Sequence, residues 1–176
     1  VKRRPDDYSN ILFSSGTTGE PKAIPWTHTT PIKCAADGCL HQDIRPGDIA
    51  AWPTSLGWMM GPWLIYASLI NKAAMALYYG APTDKGFTKF IQEAKVTMLG
   101  VVPSLVKAWR LDNCINGSDW SGIRVFSSTG ECSNAEDMLY LMSRAGYKPV
   151  IEYCGGTEIG GGYITKMLAP VLGSQN

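Results

Sequence analysis

The chain has 176 residues, the size of one domain or part of one. Its 16 lysines and arginines nearly cancel its 15 aspartates and glutamates, which leaves no electrostatic footprint for nucleic acid. No run reaches the ~20 apolar residues of a membrane span; the longest apolar region, residues 58–69, is broken by Gly61-Pro62.

In chain order, apolar β-like runs alternate with helical patterns. Strands are expected over 11–14, 49–52, 73–78, 96–101, 123–127 and 150–153, with Ala23-Ile24 also reading as strand. Helices are expected over 30–42, 62–70, 84–94, 103–111 and 133–145. Thr83 or Asp84 caps the third helix, and Pro103 suits a first helical turn. Ser133 with Glu136 makes a capping box, and Gly146 ends that last helix. His28 is expected to cap or pack, and His41 to lie at the surface near a helix end. The alternation predicts an α/β fold with a mostly parallel sheet flanked by helices and right-handed crossovers.

The 5 cysteines are odd in number and include no Cys-x-x-Cys. That argues against a disulfide framework or a zinc site, and for reduced thiols in an intracellular protein. The chain begins with Val1 and reads as an excised piece of a longer protein.

Ligands in parallel α/β sheets gather at the carboxyl ends of the strands, and four chemically loaded segments are expected there. The first is Ser14-Ser15-Gly16-Thr17-Thr18-Gly19-Glu20-Pro21-Lys22. Its glycines let backbone N–H groups turn inward, its hydroxyls are short donors, and its lysine is a mobile positive charge. Together they suit a polyphosphate. It is not a Walker A loop, because Glu20 and Pro21 separate the last glycine from Lys22. Thr54-Ser55-Leu56-Gly57-Trp58 follows the second strand and Ser128-Thr129-Gly130-Glu131 the fifth. Gly155-Gly156-Thr157-Glu158 follows the sixth and offers close backbone approach, a hydroxyl and a carboxylate. Magnesium takes oxygen ligands, often one carboxylate plus substrate phosphates, which suits Glu158.

The first string resembles the phosphate-binding signature of the adenylate-forming superfamily: acyl-CoA synthetases, luciferases and peptide-synthetase adenylation domains. Gly155-Gly156-Thr157-Glu158 resembles the Gly-x-Thr-Glu motif of that superfamily, Gly130-Glu131 its adenine segment, and Gly57-Trp58 its acyl-pocket border. The spelling Phe126-Ser127-Ser128-Thr129-Gly130-Glu131 looks closest to acetyl-CoA-synthetase-like members, plant acyl-activating enzymes among them. Three positions depart from the family pattern: Ala23 for a glycine, Cys132 for a proline, and Ser55 for an acidic residue. The resemblance runs from about Tyr8 to the end of the chain.

The resemblance implies ATP-dependent activation of a carboxylic acid to an acyl-adenylate, then transfer to coenzyme A, with Mg2+ as cofactor. It implies that Ser14, Ser15, Gly16, Thr17, Thr18, Gly19 and Lys22 wrap the β- and γ-phosphates. Backbone from Ser128 through Thr129 and Gly130 to Glu131 lines adenine. Gly156 and Thr157 sit near the α-phosphate, and Glu158 holds the metal. Lys22, Thr157 and Glu158 make up the catalytic group. Trp58, Met59, Met60 and Gly155 border the carboxylate's pocket, whereas Trp63 is expected to be core. Acetate-specific relatives carry tryptophan where Gly155 stands, so the pocket is expected to be longer than acetate needs.

Residues 1–176 are thus expected to be part of a large N-terminal AMP-binding domain. The hinge and the small C-terminal domain lie outside them, and the isolated chain is expected to be inactive. Peroxisome or cytoplasm follows from the resemblance alone. A peptide-synthetase-type adenylation domain and a truncated, non-catalytic nucleotide-binding module remain the alternatives.

Overall fold

The computed structural model describes residues 2–14 and 19–168. β1 (Tyr8–Ser14) and β2 (Lys22–Thr27) form an antiparallel hairpin with Ser14 opposite Lys22. The chain continues through α1 (Thr30–Leu40), β3 (Ile49–Ala51), α2 (Met60–Ile70), β4 (Ala74–Met75), α3 (Lys85–Glu93) and β5 (Met98–Val101). It then forms α4 (Pro103–Asp112), β6 (Val125–Ser128), α5 (Ala135–Ser143), β7 (Val150–Gly156) and β8 (Gly161–Leu168). Six strands make one sheet in the order β4-β3-β5-β6-β7-β8, parallel except for the last pair.

Side chains alternate across a pleated strand, so β5 and β6 feed two cores. Leu99 and Phe126 join the core under α3, α4 and α5, around Trp109 and Trp120. Met98 and Val125 join the other, around Trp63, under α1 and α2. The β1–β2 hairpin enters that second core through Leu12 and Trp26. Trp63 is fully buried, as its sequence context predicts.

Local chemistry explains most helix ends. The Asp84 carboxylate accepts from Phe87 N at 2.8 Å and caps α3, and Pro103 opens α4. α5 corrects an expectation: its cap is Asn134, whose side chain accepts from Glu136 N and Asp137 N. Ser133 points elsewhere, to Glu152 Oε2 at 2.9 Å and Ser128 Oγ at 3.0 Å. No capping box forms, because Asn134 is an equally good cap one residue closer to the helix. His28 is also not a cap; it is exposed, and its backbone N–H donates to Asp7 O at 3.1 Å. His41 is the exposed C-cap of α1.

Three further differences concern strands. The first expected strand belongs to the separate hairpin, not to the parallel sheet. The run 73–78 pairs with β3 only at Ala74 and Met75, as an edge strand. β7 extends to Gly156 and turns back as β8, a strand that the sequence pattern does not announce.

Candidate functional site

A cavity of about 480 Å³ opens where the hairpin meets the carboxyl ends of the sheet. β1 delivers Phe13 and Ser14 to it, and the turn into α2 delivers Gly57, Trp58, Met59 and Met60. Thr129 and Gly130 come from the end of β6, and Gly155, Gly156 and Thr157 from the end of β7. Four segments far apart in sequence therefore share one wall. Trp58 is 72 % exposed and stands at the mouth, while Met60 is buried at the base. Gly19 has φ +90°, which glycine adopts without strain, and Lys22 begins β2 exposed to solvent. Ser15, Gly16, Thr17 and Thr18 lie outside the described residues.

A second cleft of about 410 Å³ adjoins the first across Thr129, Gly130 and Gly155. Ser128, Glu131, Cys132, Ser133, Glu152 and Cys154 line it. Ser128 is fully buried at the floor. The Thr129 hydroxyl donates to Tyr153 O, which ties the β6 loop to β7. Glu131 does something the sequence does not suggest: its carboxylate accepts from Ser104 N at 2.9 Å and from Ser104 Oγ at 3.0 Å. It thereby neutralises the positive end of α4, and only its backbone is free to line a ligand. Glu152 and Ser133 enter the cleft unanticipated. Their signal is the β6–β7 register, which sets Ser128 beside Glu152.

Gly155-Gly156-Thr157-Glu158 does not follow its strand; its glycines are the last two residues of β7. Thr157 begins the turn, and its carbonyl accepts from Trp26 Nε1 at 2.7 Å. Glu158 is exposed and curls back, with Oε2 3.5 Å from where a Cβ on Gly156 would stand. Among the described residues no three His, Cys, Asp or Glu side chains gather to hold a metal.

The Gly155 geometry corrects a simple expectation about substitution there. A Cβ at Gly155 would collide with Gly161 O and stand 3.0 Å from Gly161 C. Tryptophan at this position therefore displaces the start of β8 as well as filling the cavity. A Gly155→Trp variant is expected to lose stability, read as a lower melting temperature than the wild-type chain.

Beneath the turn, burial first and then the hydrogen bond to the Asp37 carboxylate hold the Tyr153 phenol well above its usual range. The buried Cys34 thiol is pushed up to about 12, chiefly by burial and then by the Asp37 charge. Cys34 is therefore a neutral core thiol, whereas Cys132 and Cys154 are exposed.

The AMP-binding enzyme family model matches residues 1–175. Over 158 residues the chain is 68 % identical to hexanoyl-CoA synthase of Cannabis sativa, covering 90 % of this chain and 22 % of that protein. Over 161 residues it is 63 % identical to probable acyl-activating enzyme 17, peroxisomal, of Arabidopsis thaliana, covering 92 % and 22 %. The solved acetoacetyl-CoA synthetase from Streptomyces lividans superposes with a TM-score of 0.79 at 28 % identity, over 88 % of this chain and 25 % of that one. The chain thus spans about a fifth of the length of the curated relatives it matches. With a family match over nearly its whole length and a parallel α/β sheet shared with a solved CoA ligase, the chain belongs to the AMP-binding enzyme family.

Proposed function

We propose that this chain is the phosphate- and adenine-facing core of a carboxylate–CoA ligase. The observation that carries the reading is the shared cavity, where Ser14, Trp58, Gly130, Gly155 and Thr157 meet although four separate segments supply them. The names of the two plant relatives support an acyl substrate. The name of the first supports a straight acid of middling length such as hexanoate. The name of the second supports the peroxisome as the location. No described helix is long and apolar enough to cross a membrane.

In this reading the acid's carboxylate oxygen attacks the α-phosphorus of ATP and pyrophosphate leaves. The thiol of coenzyme A then takes the acyl group and AMP leaves. No side-chain nucleophile is needed, so the protein contributes position and charge. Gly155 and Gly156 let the backbone approach the adenylate, and the Thr157 hydroxyl donates to an α-phosphate oxygen. Lys22 meets the β- and γ-phosphates with the hydroxyls of Ser15, Thr17 and Thr18. Glu158 holds magnesium, which supplies charge neutralisation when bound. Trp58, Met59 and Met60 flank the acyl group, methionine serving as adaptable apolar lining.

The test is a thermal melt of the chain with and without Mg·ATP, alongside Lys22→Ala. A ligand at a hundredfold excess over its Kd stabilises by about 2.7 kcal/mol, or roughly 5–10 °C for a domain of this size. The wild-type chain is expected to shift by that order and Lys22→Ala by much less. Equal shifts in both proteins, or none in either, would count against a phosphate site at the hairpin.

A further inference from the structure

A buried carboxylate beneath the site has no part in the chemistry just described. Asp37 is on α1, 3 % exposed, in the core face of that helix. Lys33 Nζ lies 2.5 Å from both of its oxygens, one helical turn back. Tyr153 OH donates to Oδ2 at 2.6 Å and Gly162 N donates to it at 2.9 Å. Tyr153 OH in turn accepts from Trp63 Nε1 at 3.0 Å, and Lys33 Nζ also reaches Gly162 O at 3.0 Å. Tyr153 is on β7 and Gly162 is on β8. One carboxylate therefore grips both strands of the hairpin whose turn carries Thr157 and Glu158.

The glycines of that hairpin fit the same device. A Cβ on Gly161 would stand 2.5 Å from Asp37 Oδ2, and one on Gly162 would collide with the Tyr153 ring. Gly160 has φ +59°, and a Cβ there would collide with the Thr30 methyl. Gly160 and Gly161 thus let the turn sit directly on α1, and Gly162 lets β8 close on Tyr153 of β7. Two further contacts close the clasp: the Cys34 thiol donates to Gly160 O at 3.1 Å, and Trp26 Nε1 donates to Thr157 O.

Asp37 is buried but its partner Lys33 is half-exposed, and a pair with one solvated member adds little net stability. What Asp37 adds is geometry, since its Oδ2 takes one donor from β7 and one from β8. We propose that Asp37 is a positioning residue: through Tyr153 and Gly162 it fixes the turn that presents Thr157 to the cavity and carries Glu158. The use of that turn in catalysis rests on the ligase reading; the grip of Asp37 on the turn does not.

The experiment is hydrogen exchange on the chain, wild type against Asp37→Asn, with no nucleotide present. Losing a hydrogen bond to a charged group is expected to speed exchange of the amides of 156–162 by about ten- to a hundredfold. Exchange in β5 and β6 is expected to change by less than about twofold, because the opening is local. Uniform acceleration across the chain would reduce Asp37 to a general stabilising role, and an unchanged turn would overturn the proposal. Tyr153→Phe removes one donor from the same carboxylate and keeps the ring. If Asp37→Asn does not fold, Tyr153→Phe must show the same confined pattern for the proposal to stand. Exchange is read without ATP, so it tests the grip on the turn even where the melt shows no nucleotide-dependent shift. In the full-length protein, Asp37→Asn is expected to lower kcat for adenylation per folded molecule, the folded fraction being read from a melt, whereas a loss of folded protein alone would leave that per-molecule rate unchanged.

Discussion

Trp109→Ala is expected to remove about 3–5 kcal/mol of stability, a large share of the ~5–15 kcal/mol that holds a domain folded. Trp109 is fully buried on α4, stacked on Phe87 with ring centroids 5.8 Å apart and edge-on to Trp120 at 5.7 Å. It thereby joins α3, α4 and the loop before β6 in one aromatic stack. Its indole N–H donates to Pro82 O at 2.7 Å. Truncation leaves both a cavity and a carbonyl without its partner, and the two losses fall on the same side. Chemical denaturation should show a lower midpoint at nearly unchanged slope. Leu111, on the same helix but 67 % exposed, supplies the control; Leu111→Ala is expected within about 0.5 kcal/mol of wild type. A Trp109→Ala variant within that same band would mean that this core does not hold the fold.

The contrast between those two positions shows what the sequence makes legible. Strands and helices of the central sheet can be read because burial on both faces writes continuous apolar runs such as Met98–Val101. The site segments can be read because short polar strings interrupt those runs where strands end. β8 is hidden because Gly160-Gly161-Gly162 reads as a turn, and glycine is a poor strand residue. The glycines are there to make room for Asp37, Tyr153 and Thr30, which only the packed structure reveals. Asp37 itself leaves one trace in the sequence, its four-residue spacing from Lys33, which is equally the mark of an exposed helical ion pair. The role of Glu131 at the start of α4 is hidden for a different reason: its partner Ser104 lies 27 residues away, beyond any local capping pattern. The β1–β2 hairpin misleads by proximity, since a strand followed by a phosphate loop suggests the parallel sheet and not a separate ribbon.

Thr157→Val is expected to slow adenylation by the full-length protein about 10²–10³-fold, the usual loss when one preorganised donor to a developing charge is removed. Valine keeps the shape and the β-branch, so the effect isolates the hydroxyl. The backbone should hold its place, because the anchor of the turn is the Thr157 carbonyl, which accepts from Trp26 Nε1 at 2.7 Å. Thr157 lines the cavity together with Ser14 and Trp58, and in the proposed ligase reading its hydroxyl donates to an α-phosphate oxygen. Charge at the α-phosphate grows during attack, so a donor aimed there binds the transition state more tightly than bound ATP. The loss should therefore appear in kcat, with KM for ATP nearly unchanged. Carboxylate-dependent exchange of pyrophosphate into ATP measures this half-reaction without coenzyme A. A variant that loses affinity for ATP but keeps its rate at saturation would make Thr157 a ground-state binding residue. A variant with wild-type exchange would place the α-phosphate away from the β7 turn and require another donor in its place.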